Sequence, residues 1–166
     1  MQLTHYNTNF SKRTFPVTVV SDQVSNAPNL GSLFRISDAF GVEKLILCGE
    51  DISLGRKLSK TSRSTEKFVN YEICKSTLET VIDLKNSNYQ ILSLEITTNS
   101  TPIHDFKLQN KKPIALVVGD ENFGISDAIL KISDAIIHID MFGNNSSMNV
   151  VQATNIALYE ITKQLM

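Results

Sequence analysis

The run Pro113–Val118 is almost continuously apolar and meets Gly119 at once, the pattern of a short strand buried on both faces of a parallel sheet. Parallel neighbours cannot be joined by a tight turn, so crossover connections must flank such a strand. The rest of the chain supplies them. Pro16–Val20, short, β-branched and apolar, reads as a further strand, as do Lys44–Cys48, the weakly alternating Phe68–Ile73, Tyr89–Ile96 and Ala135–Ile139. Four helical stretches fall between or after them. The first runs to Phe40, with Asn29 as its cap, Leu30, Leu33, Phe34 and Ala39 facing inward, and Gly41 at the C′ position. A second starts from Ser76 and reaches Asn86, carried by Leu78, Val81, Ile82 and Leu84. Ile125–Ile132 and Ser147–Gln164 complete the set. This alternation predicts one α/β domain over residues 1–166, a mostly parallel six-stranded sheet with helices on both faces.

Composition agrees with a compact core, since 42% of the residues are hydrophobic and only 20% charged. No apolar run approaches the roughly 18 residues needed to span a bilayer. The stretch from Met1 to Phe15 has no apolar core of the secretory kind, so a cytoplasmic location is expected, with Cys48 and Cys74 reduced. A net charge of −1 does not favour general nucleic-acid binding, which leaves the question to local patches. Residues 56–67 form the one strongly one-signed block, with Arg56, Lys57, Lys60, Arg63 and Lys67 against Glu66 alone. It lies in the polar stretch from Gly49 to Lys67, read here as a long functional loop.

Open parallel sheets bind ligands beyond the carboxyl ends of their strands. Three loops in such places are rich in Gly, Asn, Ser and acids: one from Asn29, one from Val117 and one from His138. Gly119 and Gly124 have the spacing of a phosphate-binding P-loop, but Ile125 stands where that motif needs lysine. No G-x-G-x-x-G follows a strand, and no G-x-S-x-G elbow supports a serine nucleophile. His5, His104 and His138 have no cysteine or carboxylate at metal-ligand spacing, so no metal is expected.

Taken together, the three loops resemble the three motifs of the SPOUT superfamily, in its family of tRNA and rRNA ribose 2′-O-methyltransferases. The first motif is Asn29-x-Gly31 with Arg35, then Asp38-Ala39-Phe40-Gly41. The second is Gly119-x-Glu121-x-x-Gly124 leading to Ser126, and the third is Ile139-x-Met141-x-Gly143 followed by Ser147-x-Asn149-Val150 and Ala153. Two positions depart from the family pattern: Asp140 stands where proline is usual, and Val151 where serine is common. Met148 replaces leucine at similar volume.

The resemblance implies a deep trefoil knot in the last third of the chain, and S-adenosylmethionine bound there by loop backbone at Leu94, Glu95, Gly119, Ile139 and Met148. It implies Arg35, Asn29, Glu121, Ser147 and Asn149 as the catalytic set. It further implies a homodimer paired through the last helix, whose apolar Val150, Ala153, Ile156, Ala157 and Ile161 serve either that interface or the core. Each role has a plainer counterpart: turn chemistry for the glycines, a surface salt bridge for Arg35, helix capping for Glu121, Ser147 and Asn149. Lys60 and Arg63 are the expected RNA phosphate contacts. Many rRNA-directed relatives carry an extra N-terminal domain, for which the 15 residues before Pro16 leave no room, so tRNA is favoured over rRNA. A non-catalytic RNA-binding protein of the same fold, or a base methyltransferase, would share the fold without this complete set of motifs.

Overall fold

A computed structural model describes residues 8–50, 52–108, 112–120 and 122–166. The strands are β1 (Phe15–Asp22), β2 (Val42–Cys48), β3 (Tyr71–Cys74), β4 (Gln90–Leu94), β5 (Thr101–Pro102), β6 (Ile114–Gly119) and β7 (Ala135–His138). The helices are α1 (Ala27–Ala39), α2 (Arg56–Ser62), α3 (Thr77–Asn86), α4 (Asp127–Ile132) and α5 (Val150–Leu165), with a 3-10 turn at Thr65–Lys67. All strand pairs are parallel, in the order β3-β2-β1-β6-β4-β7-β5.

The sheet has seven strands, not six. The additional one, β5, is two residues long and pairs Thr101 with Ile137 and Pro102 with His138 at the sheet's edge. No periodicity can announce so short a strand, and its proline is tolerated because an edge position needs hydrogen bonds on one side only.

The apolar run ending at Val118 forms β6, flanked by β1 and β4. Its residues alternate between two cores: Ile114, Leu116 and Val118 pack with Leu30, Leu33, Phe34, Leu58, Leu158 and Ile161. Ala115 and Val117 pack on the other face with Val81, Ile125 and Ile129. Helices α1, α2 and α5 therefore cover one face and α3 and α4 the other. The ends of β1, β2 and β6 are level, with Asp22 opposite both Cys48 and Gly119, so their following loops emerge along one edge.

Helix boundaries differ from expectation where capping competes. Asn26, not Asn29, caps α1, its Oδ1 accepting from the Asn29 N–H at 3.4 Å; Pro28 occupies the first turn. Ser37 is buried on the inner face and Ala39 is exposed. Gly41 follows the helix with φ +59° as anticipated. Ser76 does cap α3, accepting from the Glu79 N–H at 3.2 Å. That helix turns Thr77 and Val81 inward and leaves Leu78 and Ile82 exposed. Asn149, not Ser147, caps α5 through a 2.9 Å bond from the Val151 N–H.

The stretch from Gly49 to Lys67 is not an open loop. Helix α2 forms within it around fully buried Leu58, and Phe68, expected in a strand, sits 79% exposed after the 3-10 turn. Cys48 and Cys74 are free thiols on adjacent strands; burial pushes the Cys48 thiol up to about 11, against a hydrogen bond to Thr80. Among the described residues, no helix is long and apolar enough to cross a membrane, and no cluster of His, Cys, Asp or Glu has metal-ligand geometry.

Candidate functional site

The loops after β4, β6 and β7 and the start of α5 enclose a cavity of about 480 Å³ at the carboxyl edge of the sheet. That is within the range of small-molecule sites. Leu94, Glu95, Gly119, Ile139 and Met148, the five residues expected at the cofactor, all line it, and so does Ser147. They come from three separate loops and meet only in the fold.

The wall between β6 and α4 is built on a missing side chain. A Cβ on Gly119 would stand 2.3 Å from the carbonyl carbon of Gly124 and 2.6 Å from the Ile125 nitrogen, so only glycine lets the turn fold back this closely. Gly124 has φ +64° and donates its N–H to the Asp120 carbonyl at 2.8 Å. Glu95 clasps the same turn from β4: Oε2 accepts from the Ile125 N–H at 3.0 Å, and Oε1 from the Ile96 N–H at 3.0 Å. The Glu95 carboxylate is thus used to fix the cavity wall.

A second junction joins the first and third motifs. The Asn149 Nδ2 donates to Asn29 Oδ1 at 3.1 Å, while Asn149 Oδ1 caps α5. Asn29 can take this role because Asn26 holds the capping position. Residues on either side of Asn149, Met148 and Val150, line the cavity, so the bond ties α1 to its rim.

Arg35 projects from the exposed face of α1 and lines neither this cavity nor a second one beyond the Gly119–Gly124 turn. Glu121 lies outside the described residues. Gly31, the other small residue of the first motif, has a packing role: a Cβ there would stand 2.8 Å from the Leu58 carbonyl oxygen. Its absence lets α2 settle on α1. The basic residues Arg56, Lys57, Lys60, Arg63 and Lys67 consequently stand exposed on and beside a docked helix, and none forms an ion pair among the described residues.

Sequence comparison covers the elements that form this site. Residues 16–159 match the model of the SpoU rRNA Methylase family. The chain belongs to the SpoU rRNA methylase family. It is 31% identical over 153 residues to the tRNA (guanosine(18)-2′-O)-methyltransferase of Aquifex aeolicus, covering 92% of this chain and 72% of that protein. The crystal structure of the A. aeolicus TrmH/SpoU tRNA modifying enzyme superposes with a TM-score of 0.82 at 31% identity, over 92% of this chain and 77% of that one. An AdoMet-bound rRNA methyltransferase from Sinorhizobium meliloti shares the fold at a TM-score of 0.81 and 23% identity, over 96% of this chain but 63% of that one.

Within this SpoU family member, the departure at Asp140 has local partners. His138 Nε2 lies 3.3 Å from Asp140 Oδ1, and His104 Nδ1 lies 3.6 Å from its Oδ2. The sequence gives no reason to place His138 beside the other cavity residues, yet it lines the cavity. No local signal marks it. Its Nδ1 is buried with no partner among the described residues.

The capping roles are separable by stability. Asn149→Ala should lower unfolding free energy by about 1 kcal/mol or slightly more, because it removes a cap and the α1 tie together. Ser147→Ala, which removes no cap, should stay within about 0.5 kcal/mol of wild type in the same denaturant titration.

Proposed function

We propose that this SpoU family member transfers a methyl group from S-adenosylmethionine to a ribose 2′-hydroxyl of RNA, with tRNA the favoured substrate. The observation that carries this reading is the convergence of Leu94, Glu95, Gly119, Ile139 and Met148 on one cavity. The cavity's size and its glycine-built backbone wall fit a nucleoside-bearing cofactor. S-adenosylmethionine, when bound, supplies a methyl carbon already activated by its sulfonium, so the protein's task is alignment.

Backbone N–H and C=O groups of the three loops offer donors and acceptors to an adenine ring, which needs no particular side chain. Ser147 at the rim orients the incoming ribose. Arg35 binds the phosphate beside the target and stabilises the alkoxide as it develops; a guanidinium keeps its proton and is no base. The hydroxyl proton passes to water.

Because Arg35 stands on the outer face of α1, away from the cavity of its own chain, the site is completed in a homodimer by the Arg35 of a second copy. Pairing is through α5, but not through most of its apolar positions. Val150, Ala157 and Ile161 are buried within the chain and Ala153 lines the cavity, which leaves Gln152, Asn155, Ile156, Tyr159 and Lys163 as its exposed face. The reading includes a trefoil knot formed by the loops around α5 and a cytoplasmic site of action, where tRNA is available.

The deciding experiment is transfer of labelled methyl from S-adenosylmethionine to bulk tRNA, with bulk rRNA as the comparison. Label in alkali-resistant dinucleotides from tRNA is the expected result. Label in rRNA alone would move the substrate, and label recovered in mononucleotides after alkali would reject ribose as the target. The basic residues beside α2 are assigned to RNA phosphates. Lys60→Ala with Arg63→Ala should flatten the salt dependence of RNA binding, the log–log slope falling by about 0.7–0.9 for each phosphate no longer neutralised. An unchanged slope would remove both residues from the interface.

A further inference from the structure

Phe123 is 90% exposed, yet its own backbone and that of its described neighbours are anchored. Asp120 Oδ1 accepts from the Asn122 N–H at 2.8 Å and the Phe123 N–H at 3.3 Å. The next two residues are fixed as well, Gly124 to the Asp120 carbonyl and Ile125 to Glu95. A single exposed phenylalanine is ordinary, and Phe10 at 88% is such a case. Phe123 differs in where it is held. It lines the cofactor cavity and also a second cavity of about 510 Å³ on the far side of the same turn.

That second cavity lies beyond the ends of β1 and β3 and carries hydrogen-bonding groups: Asp22, Lys75, Ser76, Thr77 and Asp120. Asp22 accepts from the Thr77 hydroxyl at 2.6 Å and forms the cavity's fixed floor. The Lys75 ammonium offers donors, and the Asp120 carboxylate keeps acceptor capacity beyond the turn it braces. An aromatic face on a fixed turn, beside donors and acceptors, matches the chemistry of an unpaired nucleobase, which stacks by its face and hydrogen-bonds by its edge.

We propose that Phe123 is a stacking platform for an unpaired base of the RNA, with the base over the second cavity and its ribose turned toward the first. The assignment rests on the reading of this protein as an RNA ribose methyltransferase. It commits to RNA as the occupant; a second copy of this chain seated on Phe123 is the outcome that would overturn it.

The probe is a single-stranded oligoribonucleotide carrying one 2-aminopurine, whose fluorescence falls when the base stacks. Wild-type protein should quench it. Phe123→Ala should abolish the quenching and weaken binding roughly 5- to 150-fold, the range for loss of one base–aromatic stack. Phe123→Tyr should restore both, whereas Phe123→Leu, apolar but without a π face, should not. The salt slope should not change, because no charge is removed. Restoration by leucine, or a fall in oligomeric mass on Phe123→Ala, would overturn the platform in favour of an apolar protein contact. Absence of quenching by wild-type protein that methylates RNA would overturn it too. Quenching by wild-type protein that methylates neither tRNA nor rRNA would instead reject the enzymatic reading and leave the platform standing.

Discussion

Arg35→Ala should lower methyl transfer by about 10²- to 10³-fold, the range seen when one preorganised donor to a developing oxyanion is removed. The affinity for S-adenosylmethionine, read by calorimetry, should be unchanged, because the proposed role of Arg35 is to grip the RNA phosphate and the developing alkoxide, not the cofactor. Stability should hardly move, since the side chain is exposed and makes no ion pair among the described residues. Arg35→Lys keeps the charge but loses the planar fork that grips a phosphate, so it should recover only part of the rate. Full activity in Arg35→Ala would remove the residue from the reaction and reduce it to surface charge.

Gly119→Ala should weaken S-adenosylmethionine binding for a steric reason. The added methyl would meet the carbonyl carbon of Gly124 at 2.3 Å and the oxygen at 2.6 Å. Backbone cannot step aside as a flexible side chain can, so the turn must open. Opening it pulls Ile125 from Glu95 and displaces the cavity wall that both residues shape. Overpacking of this kind costs about 1–3 kcal/mol of stability. A loss of at least about tenfold in cofactor affinity is expected, equivalent to about 1.4 kcal/mol. Wild-type affinity in Gly119→Ala would show that the cavity is not the cofactor site.

These two variants also test the composite site. If Arg35 serves the cavity of a second copy, mixing the two inactive proteins yields dimers with one intact pair. Random exchange of subunits should restore about a quarter of the wild-type sites, since half the dimers are mixed and each holds one good site of two. Mixtures that stay inactive, with exchange verified, would place Arg35 and the cavity in separate functions.

Much of the fold was legible because its signals are local. Pro113–Val118 announced a central parallel strand through its unbroken apolar run, and Ser76 and Gly41 marked helix ends by the geometry their own residue types prefer. The loops that line the cavity were expected partly from a general rule, that ligands of parallel sheets gather at the carboxyl ends of strands, and partly from what the family resemblance implies. Elements with no period, such as the two residues of β5, or with one apolar anchor, such as α2 on Leu58, gave no such signal. Asparagines and serines stand close together at both α1 and α5, so residue type alone does not choose the cap: Asn26 caps α1 and leaves Asn29 to bond Asn149, which itself caps α5.

The sequence by itself determined the alternation of strands and helices and the sheet's parallel character, since each follows from properties read within a few positions. Tertiary structure alone decided how individual residues are used. Asn29 bonds Asn149 across 120 residues, and Glu95 braces Ile125 across 30. Gly31 admits α2, and Phe123 is held in water between two cavities. Such roles arise from close approach between segments distant along the chain, and a side chain's type does not say which distant partner the fold will bring to it.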